Sequence, residues 1–137
     1  MSEGLKKNRP QFRNVHFIMD LHQYRWPLAA LVSGAHRFSG LFLVLILPFV
    51  LYLLDKSLTS ETTFEHFKGI TSGWFVKLVL LGIIYGYIQH FCSGIRHLFG
   101  DVHIGLTKDG ARKSSIAVFT VTFVLTALIA LKLFGAF

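Results

Sequence analysis

Apolar residues in this chain gather into three long runs separated by short polar stretches, with no period that would leave a wet face on a helix. The runs extend from about Leu28 to Leu54, from about Gly73 to Phe99 and from about Ser115 to Phe134. Each is long enough to cross a hydrocarbon layer, which takes roughly 20 residues of helix. No charge occurs between Phe38 and Leu54, and between Leu78 and Ile95 the only ionisable groups are Tyr85, Tyr87, His90 and Cys92. Buried helices of a soluble bundle would carry a polar face. The pattern therefore predicts an all-α membrane protein with three transmembrane helices. Pro48 lies inside the first run and is compatible with it, because a kink or a neighbouring helix can satisfy the freed carbonyl. Residues 1–27, polar and basic, read as a cytoplasmic arm before a three-helix anchor domain over 28–137.

Composition agrees: 53% of the 137 residues are hydrophobic, above the usual share in soluble domains. Charge then sets the orientation. Lys6, Lys7, Arg9, Arg13, Arg25 and Arg37 precede or enter the first run, and Arg96, Lys108, Arg112 and Lys113 follow the second. The stretch 55–72 is mixed, with Asp55, Lys56, Glu61, Glu65 and Lys68. By the positive-inside rule both basic regions face the cytoplasm, and 55–72 and the C-terminus face the other side. Because the net charge of +7 clusters beside the spans, topology accounts for it without nucleic acid. The first apolar run follows a polar segment with no small-residue cleavage site, so it is expected to act as its own insertion signal. Cys92 is the only cysteine, which excludes an internal disulfide and a thiolate-held iron–sulfur cluster. There is no C-x-x-C-H for covalent haem, no phosphate loop and no dinucleotide fingerprint.

The chemistry is concentrated in two places. Gly82, Gly86, His90 and Gly94 form one i, i+4 ladder in the second run. An ionisable side chain there is expensive unless it meets a partner, a cavity or a metal, and a b-type haem ligand explains His90 best. The glycines would admit either a flat macrocycle or an ordinary neighbouring helix, and the ladder alone does not choose between them. His97 returns to the same face two turns later, near Arg96 and the cytoplasmic end. Where the arm enters the membrane, Ser33, His36 and Arg37 fall at i, i+3 and i+4, so a hydroxyl, an imidazole and a guanidinium converge. That set suits an oxygen-rich ligand at the interface; equally, Arg37 would snorkel to phospholipid. A haem bound at His90 would turn its propionates toward this basic rim.

The motifs S-x-x-H-R-x-S at Ser33–Ser39 and H-x-x-x-G-I-R-H-x-x-x-D at His90–Asp101, with Arg9-Pro10 and Arg25-Trp26-Pro27, resemble the cytochrome b membrane-anchor subunits of succinate dehydrogenase, respiratory complex II. The resemblance extends over nearly the whole chain. It implies that His90 is an axial ligand of haem b, the other axial histidine coming from a second small anchor subunit. It implies that Ser33 and Arg37 line a ubiquinone site, that His36 and Arg37 contact the haem propionates, and that His97 is a candidate contact at the haem rim. Asp101 is expected to pair with Arg96 or with a neighbouring subunit. Two departures stand out: Gly100 occupies a position more often bulky in the family, and the arm between Pro10 and Leu21 is longer than in some relatives. An iron–sulfur subunit and a flavoprotein subunit are the implied soluble partners, with membrane lipid around the helices and no catalytic residue in this chain alone. The expected location is the bacterial inner membrane, in preference to the mitochondrial one. Alternatives are a quinol:fumarate reductase anchor, a structural anchor without a redox cofactor, and a small ion-transport subunit. The last would carry intramembrane Asp or Glu, and the three runs have none.

Overall fold

The structure, a computed structural model, describes residues 25–135. Most of the expected arm, including Arg9-Pro10, and the last two residues lie outside this range. All regular structure among the described residues is helical: α1 (Leu28–Thr59), α2 (Glu61–Thr71), α3 (Trp74–Asp101) and α4 (Lys108–Leu133). Three of them, α1, α3 and α4, are long and apolar enough to cross a membrane.

Local chemistry sets the helix ends. Pro27, with φ −66°, holds an extended residue before α1, and its carbonyl accepts the first amide hydrogen bonds, from Ala30 and Leu31. Pro48 does not interrupt α1. The short helix α2, within the stretch expected only to be a polar loop, is started by a capping box: the Thr63 amide donates to Ser60 Oγ and the Ser60 amide donates to Thr63 Oγ1, each at 3.2 Å. α4 begins seven residues before the expected span because Thr107 caps it, accepting from the Gly110 amide at 3.1 Å. α3 ends in a Schellman turn, with the Ile104 amide donating to Phe99 O and the His103 amide to Gly100 O, both at 2.9 Å. His103 takes the left-handed position usually given to glycine (φ 62°). A side chain at Gly100 would meet nothing within 4 Å, so the turn does not depend on that glycine.

α3 is the central element, packed against α1 on one side and α4 on the other. The bundle is inverted relative to a soluble one. Among the described residues the buried hydrophobic ones are only Val32, Ile88 and Val118, while Ser39, Gln89, Ser93, Ser115 and Thr122 are buried polar residues. Large apolar side chains point outward, among them Phe38 and Leu58, each 77% exposed. Hydrocarbon solvates such a surface, and the small polar residues let backbones approach closely and bond across helices. Arg96 Nε donates to Ser114 Oγ at 3.1 Å and fixes the register of α3 against α4. Seven residues before Arg96 and eight after Ser114, Gln89 and Thr122 then lie at the same depth in these antiparallel helices.

Candidate functional site

The α1–α3 seam brings the two motifs together. His36 on α1 and His90 on α3 stack with ring centroids 4.1 Å apart and planes 10° from parallel. The His97 ring lies 4.9 Å from that of His36, tilted by 48°. His90 Nδ1 sits 3.0 Å from the His36 carbonyl oxygen. A carbonyl can only accept, so Nδ1 carries the proton in this contact and the Nε2 lone pair is left available. Among the described residues nothing hydrogen-bonds to Nε2. Buried Ser39 closes a triangle: its hydroxyl donates to the same carbonyl at 3.0 Å and lies 3.3 Å from His90 Nδ1.

Gly40 is what lets the ring lie so close to α1. A Cβ there would stand 2.8 Å from His90 Cε1 and 3.3 Å from Nδ1. Within the glycine ladder the positions divide. A Cβ at Gly86 would press on Phe42 at 3.3 Å and one at Gly94 would meet His36 Nε2 at an ordinary 3.7 Å, whereas Gly82 has open space around it. Gly86 thus serves the packing of α3 on α1, whereas Gly94 has room for a Cβ.

The expected convergence of Ser33, His36 and Arg37 is divided as well. Ser33 is half-buried and Arg37 exposed, but His36 turns into the seam against His90. Arg37 has no ion pair among the described residues. Arg96 bonds Ser114 and forms no ion pair with Asp101, so the expected pairing of those two is not made within the chain. Two residues that the sequence reading passed over matter here. Ser39 was visible only as the last letter of a motif. Gln89 is 1% exposed, donates from Nε2 to Ser93 Oγ at 3.0 Å, and leaves its Oε1 without a partner, as are the hydroxyls of Thr122 and Thr126 on α4.

A second concavity, about 690 Å³, opens between α3 and α4 at the end where Arg96 lies, with Cys92, Phe99, Leu106 and Val118 in its walls. It lies on the α4 side of α3. Among the described residues no group of three or more His, Cys, Asp or Glu side chains could hold a metal ion. An iron bound here would need ligands beyond this chain's side chains, as a macrocycle and a partner would supply.

Fold and site together define a multi-pass helical membrane protein with a histidine pair at the contact of two spans. The sequence profile of the succinate dehydrogenase/fumarate reductase transmembrane subunit matches residues 6–129. The chain is 32% identical over 108 residues to the succinate dehydrogenase cytochrome b556 subunit of Coxiella burnetii, covering 77% of this chain and 86% of that protein. It is 33% identical over 108 residues to the subunit of the same name from Paracoccus denitrificans, covering 79% and 83%. It is 28% identical over 123 residues to the mitochondrial succinate dehydrogenase cytochrome b560 subunit of Sus scrofa, covering 88% and 69%. The chain belongs to the succinate dehydrogenase/fumarate reductase transmembrane subunit family, whose members are subunits of an enzyme complex.

Proposed function

We propose that this chain is the cytochrome b anchor of a succinate:quinone oxidoreductase, with His90 Nε2 as one axial ligand of a haem b and the second axial histidine on another small anchor subunit. One observation carries the reading: a half-buried imidazole in mid-span has its Nδ1–H held by a backbone carbonyl, which leaves Nε2 as a donor. Metal-ligating histidines are held in this way, with the second nitrogen bonded to a carbonyl or carboxylate that fixes tautomer and ring orientation. Bound there, a bis-histidine haem supplies a one-electron reservoir with no open coordination position. His36, stacked on His90, and Arg37 are the residues that would meet the propionates of a bound haem, and His97 flanks His36.

Quinone is the substrate of the proposed site, and its reduction takes two electrons, delivered by an iron–sulfur subunit, and two protons. Its carbonyl oxygens gain negative charge before they are protonated. Ser33 donates a hydrogen bond to one of them, and Arg37, exposed and without an ion pair among the described residues, provides a fixed positive charge that stabilises the developing anion. Protons enter from water at the same end. A flavoprotein subunit oxidises succinate upstream. The family description covers both directions of electron flow, and the names of all three relatives support the succinate-oxidising one.

In this reading residues 1–27 form a cytoplasmic arm and 28–137 the anchor, in a bacterial inner membrane with the C-terminus in the periplasm. The basic residues support that orientation: among the described residues Arg25, Arg37, Arg96, Lys108, Arg112 and Lys113 fall at one end of the bundle, against Lys56, Lys68, Lys77 and Lys132 at the other, where Asp55, Glu61 and Glu65 offset them. The test is His90→Leu in the assembled complex, read as a reduced-minus-oxidised spectrum. The low-spin haem b bands should vanish or shift; a spectrum identical to the wild type would reject His90 as the ligand.

A further inference from the structure

We infer that Ser39 is a positioning residue that sets the donor strength and ring orientation of His90, and through it the reduction potential of the haem; this rests on the proposal that His90 is an axial ligand. The observation is the closed triangle of Ser39 Oγ, His36 O and His90 Nδ1, with sides of 3.0 Å (Oγ to carbonyl), 3.0 Å (Nδ1 to carbonyl) and 3.3 Å (Oγ to Nδ1). Ser39 is buried, so water does not compete for its hydroxyl.

Both the hydroxyl and the imidazole N–H donate to one carbonyl. The lone pairs of His36 O are shared, and the Nδ1–H bond is weaker than it would be if the ring had that acceptor to itself. A stronger Nδ1–H bond pushes the imidazole toward imidazolate and makes Nε2 a better donor, which favours ferric over ferrous iron. The longer 3.3 Å contact, in which Ser39 Oγ accepts from Nδ1–H, works in the opposite direction and is the weaker of the two. It does, however, give the N–H a second anchor one turn along α1 from the carbonyl's residue, and so limits rotation of the ring. Ser39 therefore holds the potential up and the ring plane fixed. The bond to His36 O is the ordinary i, i−3 bond of a helical serine, as Ser57 and Ser72 also make; the contact with His90 Nδ1 is what sets Ser39 apart.

The substitutions Ser39→Ala and Ser39→Thr test this in the purified complex, with His90→Leu prepared alongside. Readouts are the haem midpoint potential by redox titration, the low-spin ferric electron paramagnetic resonance signal, which senses axial ring orientation, and haem per complex. The expected result is a lower midpoint potential and a displaced resonance in Ser39→Ala, with Ser39→Thr, which keeps the hydroxyl, near the wild type on both. Loss of haem from Ser39→Ala but not from Ser39→Thr supports the inference equally, because the hydroxyl is then what holds the ligand. An unchanged potential and resonance in Ser39→Ala overturns it, as does a Ser39→Thr variant as perturbed as the alanine one, which would assign Ser39 to packing. Should His90→Leu retain the wild-type spectrum, the ligand assignment itself fails; should it lose the haem while Ser39→Ala changes nothing, only the Ser39 inference fails.

Discussion

Gly40→Ala should loosen the haem and the α1–α3 seam in one step. The added Cβ would lie 2.8 Å from His90 Cε1. Carbon atoms in good contact sit about 3.5–4.0 Å apart, so the ring must withdraw by about 0.7–1.2 Å. The ring is not free to do so. Its Nδ1 is bonded to His36 O at 3.0 Å, an ordinary N–H···O length that a withdrawal of this size would stretch beyond bonding range, and its face is covered by the His36 ring. Either that bond breaks, costing about 0.5–1.5 kcal/mol, or the helices part, with an overpacking cost of about 1–3 kcal/mol. Alanine's better helix propensity returns about 0.5–1 kcal/mol. If the helices part, the net loss is about 0–2.5 kcal/mol, which corresponds to up to roughly a 70-fold weaker hold on a haem ligated by His90 as proposed. Gly34→Ala, on the same helix with nothing within 4 Å of the new Cβ, is the control and should be neutral or slightly stabilising. The assays are haem retained per complex after dilution and the thermal midpoint of the assembled complex. If Gly40→Ala matches Gly34→Ala on both, the close approach of His90 to α1 is wrong.

Two further outcomes follow from the proposed quinone site and orientation. Ser33→Ala removes one neutral donor, worth about 0.5–1.5 kcal/mol net, and should slow quinone reduction up to about tenfold with the haem spectrum intact; Arg37→Leu should impair both, while succinate oxidation with a soluble artificial acceptor persists in each. Wild-type quinone reduction in both variants, measured on assembled complex, would return these residues to helix packing and lipid contact. A reporter fused after Phe137 should be active only outside the cytoplasm, and cytoplasmic activity would mean inverted topology or an even number of spans.

The spans and the two motifs were legible because hydropathy and i, i+4 spacing are local properties. What escaped depends on register between helices. Ser39 and Gly40 matter only because α1 and α3 cross at a depth that sets them against His90, 51 and 50 positions away in the chain. The short helix α2 escaped for a local reason: its capping box uses Thr63 where the familiar signature has Glu or Gln. The failed Arg96–Asp101 pairing, by contrast, could have been read from sequence, since residues five apart on a helix lie about 140° from each other around its axis. Helix geometry sends Arg96 toward α4 and leaves Asp101 exposed at the helix end.

The inversion of inside and outside has a consequence for how the chain lives in a cell. Its spans are tied to one another by a few polar bonds, Arg96 to Ser114 and His90 to His36, while nearly every large side chain faces away from the bundle. Such bonds hold best where water is absent and side chains in lipid have few competing partners. The lipid and the neighbouring subunits therefore act as a structural part of the molecule. Taken out of a bilayer, the chain would turn Phe38, Val44 and Phe49 toward water and lose the medium that holds its helices in register.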